Sequence, residues 1–427
     1  MPIPRILSHL LLILFLLVTL SSPLPADEKK TDYYRNYEEL VKVVRLIKEK
    51  YVDEVELSDL LAGAYRGMLQ DLDPYSQYIT PEEMEDLRIE TEGEFSGLGI
   101  EITVQDGILT VITPILDSPA FRAGIMAGDK VIRIEAESAE GISLREAIKK
   151  LRGPTGTEVT ITVLHPEDPE PEDITIERGL VQLKSVLGSR IIDGDKKIGY
   201  IAVSSFQEDT AEELEKAVTD LLQEEMEALI LDLRFNPGGL LNVAVDVSDK
   251  FLEDDIIVST KGKDTSQNQI YSAKKQGTFP NFPMIVLINN GSASAAEIVA
   301  AAIRDNKRGL LVGTRTFGKG SVQSLVPVEG GGSAIKLTTA KYYTPSGTLI
   351  HKIGIEPDVV VELDKEQTIK LHKFMARLKN IKSPMADDGQ EGALTEEEPI
   401  DIQLERALDI LRNDQQLFTK LLNNPTL

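Results

Sequence analysis

Ser294 stands in the run Asn290-Gly291-Ser292-Ala293-Ser294-Ala295-Ala296-Glu297, and Lys319 follows in Phe317-Gly318-Lys319-Gly320-Ser321-Val322-Gln323. A serine hydroxyl becomes a nucleophile when a neighbouring base takes its proton. A lysine can be that base once burial disfavours its charged form, because the neutral amine accepts a proton. Glycines on both sides of Lys319 free its backbone to place the side chain inward. Each residue also has a plainer reading. Ser294-Ala295-Ala296-Glu297 matches a capping box in full, so Ser294 by itself reads as a helix cap. Lys319 by itself reads as a solvated charge. Of His9, His165, His351 and His372, none has a sequence neighbour that suggests a Ser-His-Asp triad. With no cysteine in the chain, a thiol nucleophile, a thiolate metal site and a disulfide framework are excluded. Gly313 to Lys319 imitates the start of a phosphate-binding loop. Gly320 stands where that loop needs Ser or Thr, however, and a strand-like run at Val322 to Val328 replaces its helix.

The pattern around these residues supplies the elements that would place them. Met284 to Ile288 reads as a buried strand, Asn289-Asn290-Gly291 as a turn, and Ala295 to Ile303 as a helix. A serine at that turn is expected at the carboxyl edge of a parallel sheet, beside the free N–H groups of a helix N-terminus. Two further strands, Ile198–Val203 and Ala228–Leu233, bracket a helix from Thr210 to Leu222. The second strand runs into Asn236-Pro237-Gly238-Gly239, a tight turn that exposes N–H groups at the same edge. Residues 180–365 are therefore expected to form a mixed β-α-β core.

Ahead of that core, residues 91–179 form a different block. Ile100–Val104, Val131–Ile134 and Val159–Val163 alternate as strands, and Ser143 opens a helix that reaches about Leu151. Gly97-Leu98-Gly99-Ile100 precedes the first strand, where glycines let successive N–H groups face a carboxylate. With Ala127-Gly128-Asp129-Lys130-Val131-Ile132 and Leu151-Arg152-Gly153-Pro154-Thr155-Gly156, the block resembles a bacterial PDZ domain. That resemblance implies that Gly97, Leu98, Gly99 and Ile100 hold a substrate's C-terminal carboxylate. Ile148 and Leu151 either help line the pocket for its last side chain or serve as core residues. Arg152, between the helix and the Gly-Pro turn, reads either as a surface charge or as a coupling between peptide binding and the catalytic region.

Across nearly the whole mature chain the sequence resembles the carboxy-terminal processing peptidases, also called tail-specific proteases. The resemblance rests on LDPYSQYITPEEM at 72–84, the PDZ-like block, DLRFNPGGLL, NGSASAAEI, TFGKGSVQ, TTAKYYTPSG at 338–347 and GIEPDV at 354–359. It implies a multidomain α/β protein: a crotonase-like protease core, an inserted PDZ-like domain and helical N- and C-terminal regions. It implies Ser294 as nucleophile, Lys319 as general base and Gln323 as the residue that orients the lysine. The N–H of Ala295 and one from Gly238 or Gly239 would form the oxyanion hole. Ser292 and Ser321 are rival serines that the motif alignment does not favour. Ala296 departs from many relatives, which have serine there, and touches no assigned role. The implied activity is a serine endopeptidase that binds protein C-termini and works through an acyl-enzyme, without metal or cofactor. The resemblance also suggests a homodimer or higher homo-oligomer built by the outer helices, and leaves room for an adaptor protein. The alternative is an inactive PDZ scaffold tethering envelope proteins, against which the intact Ser294, Lys319 and Gln323 argue.

Composition bounds the rest. The chain has 427 residues, of which 41% are hydrophobic and 27% charged, which suits several folded domains. A net charge of -24 argues against nucleic acid as a partner. Residues 1–26 read as a secretion signal: Arg5, then the apolar run Leu10 to Leu20, then Ser21, Ser22 and Pro23, with cleavage near Ala26. The expected location is the periplasm or cell envelope, with a membrane anchor if the signal stays uncleaved. A helical region at 32–90 follows the signal. Beyond the core, residues 366–427 read as a C-terminal linker and helical region. Within it an acidic linker spans 384–399 and a single amphipathic helix runs from Ile402 to Leu422.

Overall fold

The computed structural model describes residues 28–423 except 106, 116, 167–169, 329–331 and 379–399. The expected secretion signal and acidic linker lie outside the described residues. The chain divides after Tyr78 into two compact units. The first holds α1 (Glu28–Lys50) and α2 (Leu57–Gln70). These helices leave Leu40, Val43 and Leu46 of α1 and Leu57 and Met68 of α2 exposed. No helix among the described residues is long and apolar enough to cross a membrane.

The second unit opens with α3 (Pro81–Glu92), set by a complete capping box. The Glu83 N–H donates to the Thr80 hydroxyl at 3.3 Å, and the Thr80 N–H to the Glu83 carboxylate at 2.9 Å. The PDZ-like block follows: β1 (Glu94–Gly97), β2 (Ile100–Gln105), β3 (Ile108–Pro114), α4 (Pro119–Arg122), β4 (Lys130–Ile134), β5 (Glu137–Ser138), α5 (Leu144–Leu151), β6 (Glu158–Leu164), β7 (Glu172–Glu177) and β8 (Gly179–Gln182). Its antiparallel sheet has the order β2-β3-β4-β6-β7, which makes β2 an edge strand. Leu109, Val131, Val159, Ile161 and Ala147 form its own apolar core.

The core that carries the candidate site contains β9 (Val186–Asp193), β10 (Ile198–Val203), α6 (Thr210–Gln223), β11 (Ala228–Asp232), α7 (Leu241–Asp249), β12 (Ile256–Gly262), β13 (Gln269–Ser272), β14 (Met284–Ile288), α8 (Ala295–Asp305), β15 (Leu310–Gly313), β16 (Ser321–Pro327), β17 (Ala334–Tyr343) and β18 (Val359–Val360). The main sheet runs β9-β10-β11-β14-β15-β18, parallel throughout except for the antiparallel edge strand β9. Every residue of β10, β11, β14 and β15 is buried, because both faces of the sheet are covered. Alternate residues serve the two faces. Ile201, Leu231 and Val286 pack against α6, α7 and α8, while Tyr200, Ile230 and Leu287 pack against the C-terminal helices. A second sheet joins β16, β17, β12 and β13.

The C-terminal region holds α9 (Lys365–Leu378), α10 (Ile402–Asn413) and α11 (Gln415–Asn423). The single helix expected from Ile402 to Leu422 is two. Asp414 closes the first at φ -126° and ψ 54°, and its carbonyl accepts the Phe418 N–H in the second. Asn and Asp are residue types that favour helix ends over helix interiors, which suits a break at Asn413 and Asp414.

Candidate active site

Three loops leave the carboxyl edge of three neighbouring parallel strands. Residues 233–240 follow β11, 289–294 follow β14 and 314–320 follow β15, with Asp232 paired to Leu287 and Ile288 to Gly313. This is where open α/β sheets place their sites. Side chains stitch the first two loops together. Asn289 Oδ1 accepts the Phe235 and Gly291 N–H groups at 3.0 and 2.9 Å. Ser292 donates its hydroxyl to the Leu233 carbonyl at 2.8 Å and accepts the Asn289 N–H at 3.0 Å. That rival serine is fully buried and holds the turn.

Ser294 is 7% exposed and has φ 56° and ψ -114°. A non-glycine residue in that region is strained and persists only where its surroundings impose it. A sharp strand-to-helix turn of this kind presents a nucleophilic serine in other α/β enzymes. The Ser294 side chain makes no capping bond, and the Glu297 N–H goes to the Ser294 carbonyl at 2.9 Å. The serine is therefore at the cap position without its hydroxyl capping the helix.

Glu297, fully buried, joins the third loop to this turn. Its Oε2 accepts the Ser294 N–H and the Lys319 N–H, each at 2.8 Å. Its Oε1 accepts the Thr316 hydroxyl at 2.6 Å and the Gly318 N–H at 2.7 Å. The backbone nitrogens of Ser294 and Lys319 thus share one oxygen and lie within twice that distance of each other. The Gly318 and Lys319 N–H groups, which a phosphate loop would aim at a nucleotide, go to a carboxylate instead. Burial pushes the Glu297 carboxyl above its ordinary value, opposed by those four donors.

Lys319 is partly buried, and burial pulls its amine below the ordinary lysine value. Lys336 adds to that shift, while Glu90 and Glu297 oppose it. Gln323 donates its amide nitrogen to the Ser321 hydroxyl at 2.9 Å and the Thr338 hydroxyl at 3.3 Å, which leaves its carbonyl oxygen as an acceptor. A register shift in the β16–β17 ladder falls between Val322 and Gln323. Burial also pushes the Tyr342 phenol well above its ordinary value, opposed by an interaction with the Ser294 side chain.

The Gly-Gly pair closes the site. A Cβ on Gly238, at φ 105°, would lie 2.7 Å from the Ser294 Cβ and 3.0 Å from the Ala295 nitrogen. A Cβ on Gly239, at φ 146°, would lie 2.2 Å from the Phe206 carbonyl oxygen. Only glycine fits either position. The Gly238 N–H is committed to Asn236 Oδ1 at 2.9 Å. Phe206 bonds the residues on either side, Gly238 and Leu240, which leaves the Gly239 N–H out of that ladder. The Ala295 N–H, first in its helix, has no intrahelical acceptor. Of the two glycines expected as oxyanion donors, Gly239 is the one whose N–H stays available.

The residues of this site fall within known sequence patterns. A family model described as peptidase family S41 matches residues 197–361, a PDZ domain model 96–177, and a model of the activating protease CtpB N-terminal domain 20–83. The chain is 37% identical over 410 residues to a carboxy-terminal-processing protease of Bartonella bacilliformis, with 93% of each chain covered. The chain belongs to the carboxy-terminal processing proteases of peptidase family S41. This serine-type protease is also 36% identical to carboxy-terminal processing protease CtpB of Bacillus subtilis, over 76% of its own chain and 68% of that one. A solved photosystem II D1 C-terminal processing protease shares 31% identity over 75% of this chain and 86% of its own, at a TM-score of 0.45.

In the protease's PDZ domain, the carbonyls of Leu98 and Gly99 are bonded inward. Leu98 accepts the Ala120 N–H at 2.8 Å, and Gly99 accepts the Ile115 N–H at 2.8 Å and the Ser118 hydroxyl at 3.0 Å. A trans peptide directs the next N–H the opposite way, so Gly99 and Ile100 aim theirs outward. Gly97 lies in the β1–β8 ladder, opposite Gly179. The edge strand β2 lies beside α5. On that helix Ile148 keeps surface, whereas Leu151 is 4% exposed and belongs to the domain core. Arg152 bonds Asp86 of α3 at 2.9 Å and lies over the Phe95 ring.

Sequence reading missed several contacts. His165 does have carboxylate neighbours, Asp129 at 2.8 Å and Glu172 at 3.2 Å. The Asp129 hydrogen bond holds its imidazole above the ordinary value. His165 directly follows β6 in the PDZ domain. His372 on α9 packs its ring 4.9 Å from that of Phe235. Lys336, Glu90 and Tyr342 carried no local signal of a role. Glu297 carried one, the capping box, which pointed to its partner at Ser294 and said nothing of the third loop.

Proposed function

We propose that this protease is an exported serine endopeptidase that captures the C-terminal tail of a protein in its PDZ groove and cleaves the chain through a Ser294–Lys319 dyad. The observation that carries the reading is the Glu297 carboxylate, which ties the strained Ser294 turn and the Lys319 loop to one point. The neutral Lys319 amine takes the Ser294 proton as Oγ adds to the scissile carbonyl carbon. The resulting oxyanion is met by the Gly239 and Ala295 N–H groups at the positive end of α8. Collapse breaks the C–N bond, and the leaving amine takes the proton back from Lys319. Water then attacks the acyl-enzyme, with Lys319 again the base, and Ser294 is regenerated. Gln323 orients the lysine amine through its free carbonyl oxygen.

In the PDZ groove, a tail adds as a strand to the open edge of β2, its carboxylate against the outward N–H groups of Gly99 and Ile100. Ile148 borders the last side chain. The exposed apolar side chains of α1 and α2 support a second copy of the chain as partner. The apolar run at Leu10 to Leu20 supports export to the cell envelope.

The test is cleavage of a protein ending in an apolar tail, with products read by mass. Wild type should give truncated product that depends on a free C-terminal carboxylate, and Ser294→Ala and Lys319→Ala none. Full cleavage by either variant would sink the dyad. Tail binding with no cleavage by wild type would mark a binding scaffold instead.

A further inference from the structure

Arg234 lies between strand β11 and the Phe235–Gly239 turn, and is 2% exposed. Its Nε donates to both Asp232 oxygens at 3.0 and 3.1 Å, and its Nη2 to Asp232 Oδ2 at 2.6 Å. The outer fork reaches α10 across 167 residues: Nη1 to Asp401 Oδ1 at 2.8 Å and Nη2 to Asp401 Oδ2 at 2.6 Å. Nη1 also bonds Gln403 Oε1 at 3.1 Å. Asp401 is the N-cap of α10 and accepts the Leu404 N–H at 3.0 Å. The bidentate fork makes the pair directional as well as charged.

We infer that Asp401, acting through Arg234, positions the Phe235–Gly239 turn, so that the C-terminal helix α10 sets the placement of the oxyanion donor Gly239. The inference rests on the role proposed above for Gly239. Phe235 follows Arg234 directly at φ 58°, and its N–H is fixed by Asn289. A shift at the guanidinium therefore passes into a turn with little slack. Asp401 touches no substrate; it is a positioning residue. Its removal leaves Arg234 neutralised by Asp232, so no lone buried charge remains to unfold the protein.

Asp401→Asn and Asp401→Ser both retain a capping side chain and delete the carboxylate. In the full chain, kcat should fall roughly ten- to a hundredfold, the scale of a misplaced catalytic donor. KM and affinity for an apolar tail peptide should stay within about twofold of wild type on that account. The rate of acylation by a serine-directed probe should fall in step with kcat. Asp401→Glu, which keeps the charge, should recover part of the loss. Asp409→Asn, on the exposed side of the same helix, should behave as wild type. Unchanged kcat in a folded Asp401→Asn protein overturns the inference, and so does failure of both cap-retaining variants to fold. If wild type acylates at Ser294 and only the Asp401 arm shows no effect, this inference alone fails. If wild type does not acylate at Ser294, the active-site reading fails and takes this one with it.

Discussion

A lysine amine cannot take a proton while it carries one, so the environment of Lys319 decides at what pH the proposed dyad would work. Burial and Lys336 pull its pKa down, and Glu90 and Glu297 push back. The rise of kcat/KM with pH should therefore have its midpoint below the ordinary lysine value of about 10.4. Lys336→Gln removes a like charge, stabilises the ammonium form and should move that midpoint to higher pH. Glu90→Gln removes an opposing charge and should move it to lower pH. A pH–rate profile of each variant checks the signs. Two unmoved midpoints would mean that another group titrates there.

At the scale of elements, the Glu297 carboxylate ties the third loop to the Ser294 turn, and the glycine pair lets the first loop approach that turn closely. Glu297→Gln places an amide where four donors converge, so at least one donor faces an N–H₂. That costs about 1–3 kcal/mol in stability. The loss of alignment between Ser294 and Lys319 should cost roughly a hundredfold in kcat. Denaturant unfolding and steady-state kinetics separate the two effects. Gly238→Ala should be inactive, because its methyl would meet the Ser294 Cβ at 2.7 Å. Full activity would show that the turn can retreat without consequence. The strands and helices of this edge were legible in the sequence, because their apolar runs are continuous and their caps local. The capping box pointed to Glu297 but described only one of the four hydrogen bonds its carboxylate accepts. A contact between residues 297 and 316–319 depends on how β14 and β15 pair, which no local pattern encodes.

In the whole molecule, the roles proposed for the PDZ domain and the C-terminal helices bear on a site neither contains. Ile148→Asp should raise KM for tailed substrates and weaken tail-peptide binding, with stability nearly unchanged. Leu151→Ala should cost about 2–5 kcal/mol in stability, since it empties space in the domain core. Binding measurements alongside thermal unfolding tell a groove residue from a core one. The sequence could not separate these two, since both sit on the helix at apolar spacing. Nor could it join Arg234 to Asp401, whose pairing crosses most of the core. It read one helix where Asp414 makes two, because the apolar pattern carries on across the break. Peptide mapping of the protein after reaction with a serine-directed acylating probe tests the Ser294–Lys319 dyad most directly. One adduct is expected, on Ser294, lost in Ser294→Ala and strongly reduced in Lys319→Ala. An adduct on Ser292 or Ser321, or undiminished labelling of Lys319→Ala, would contradict it.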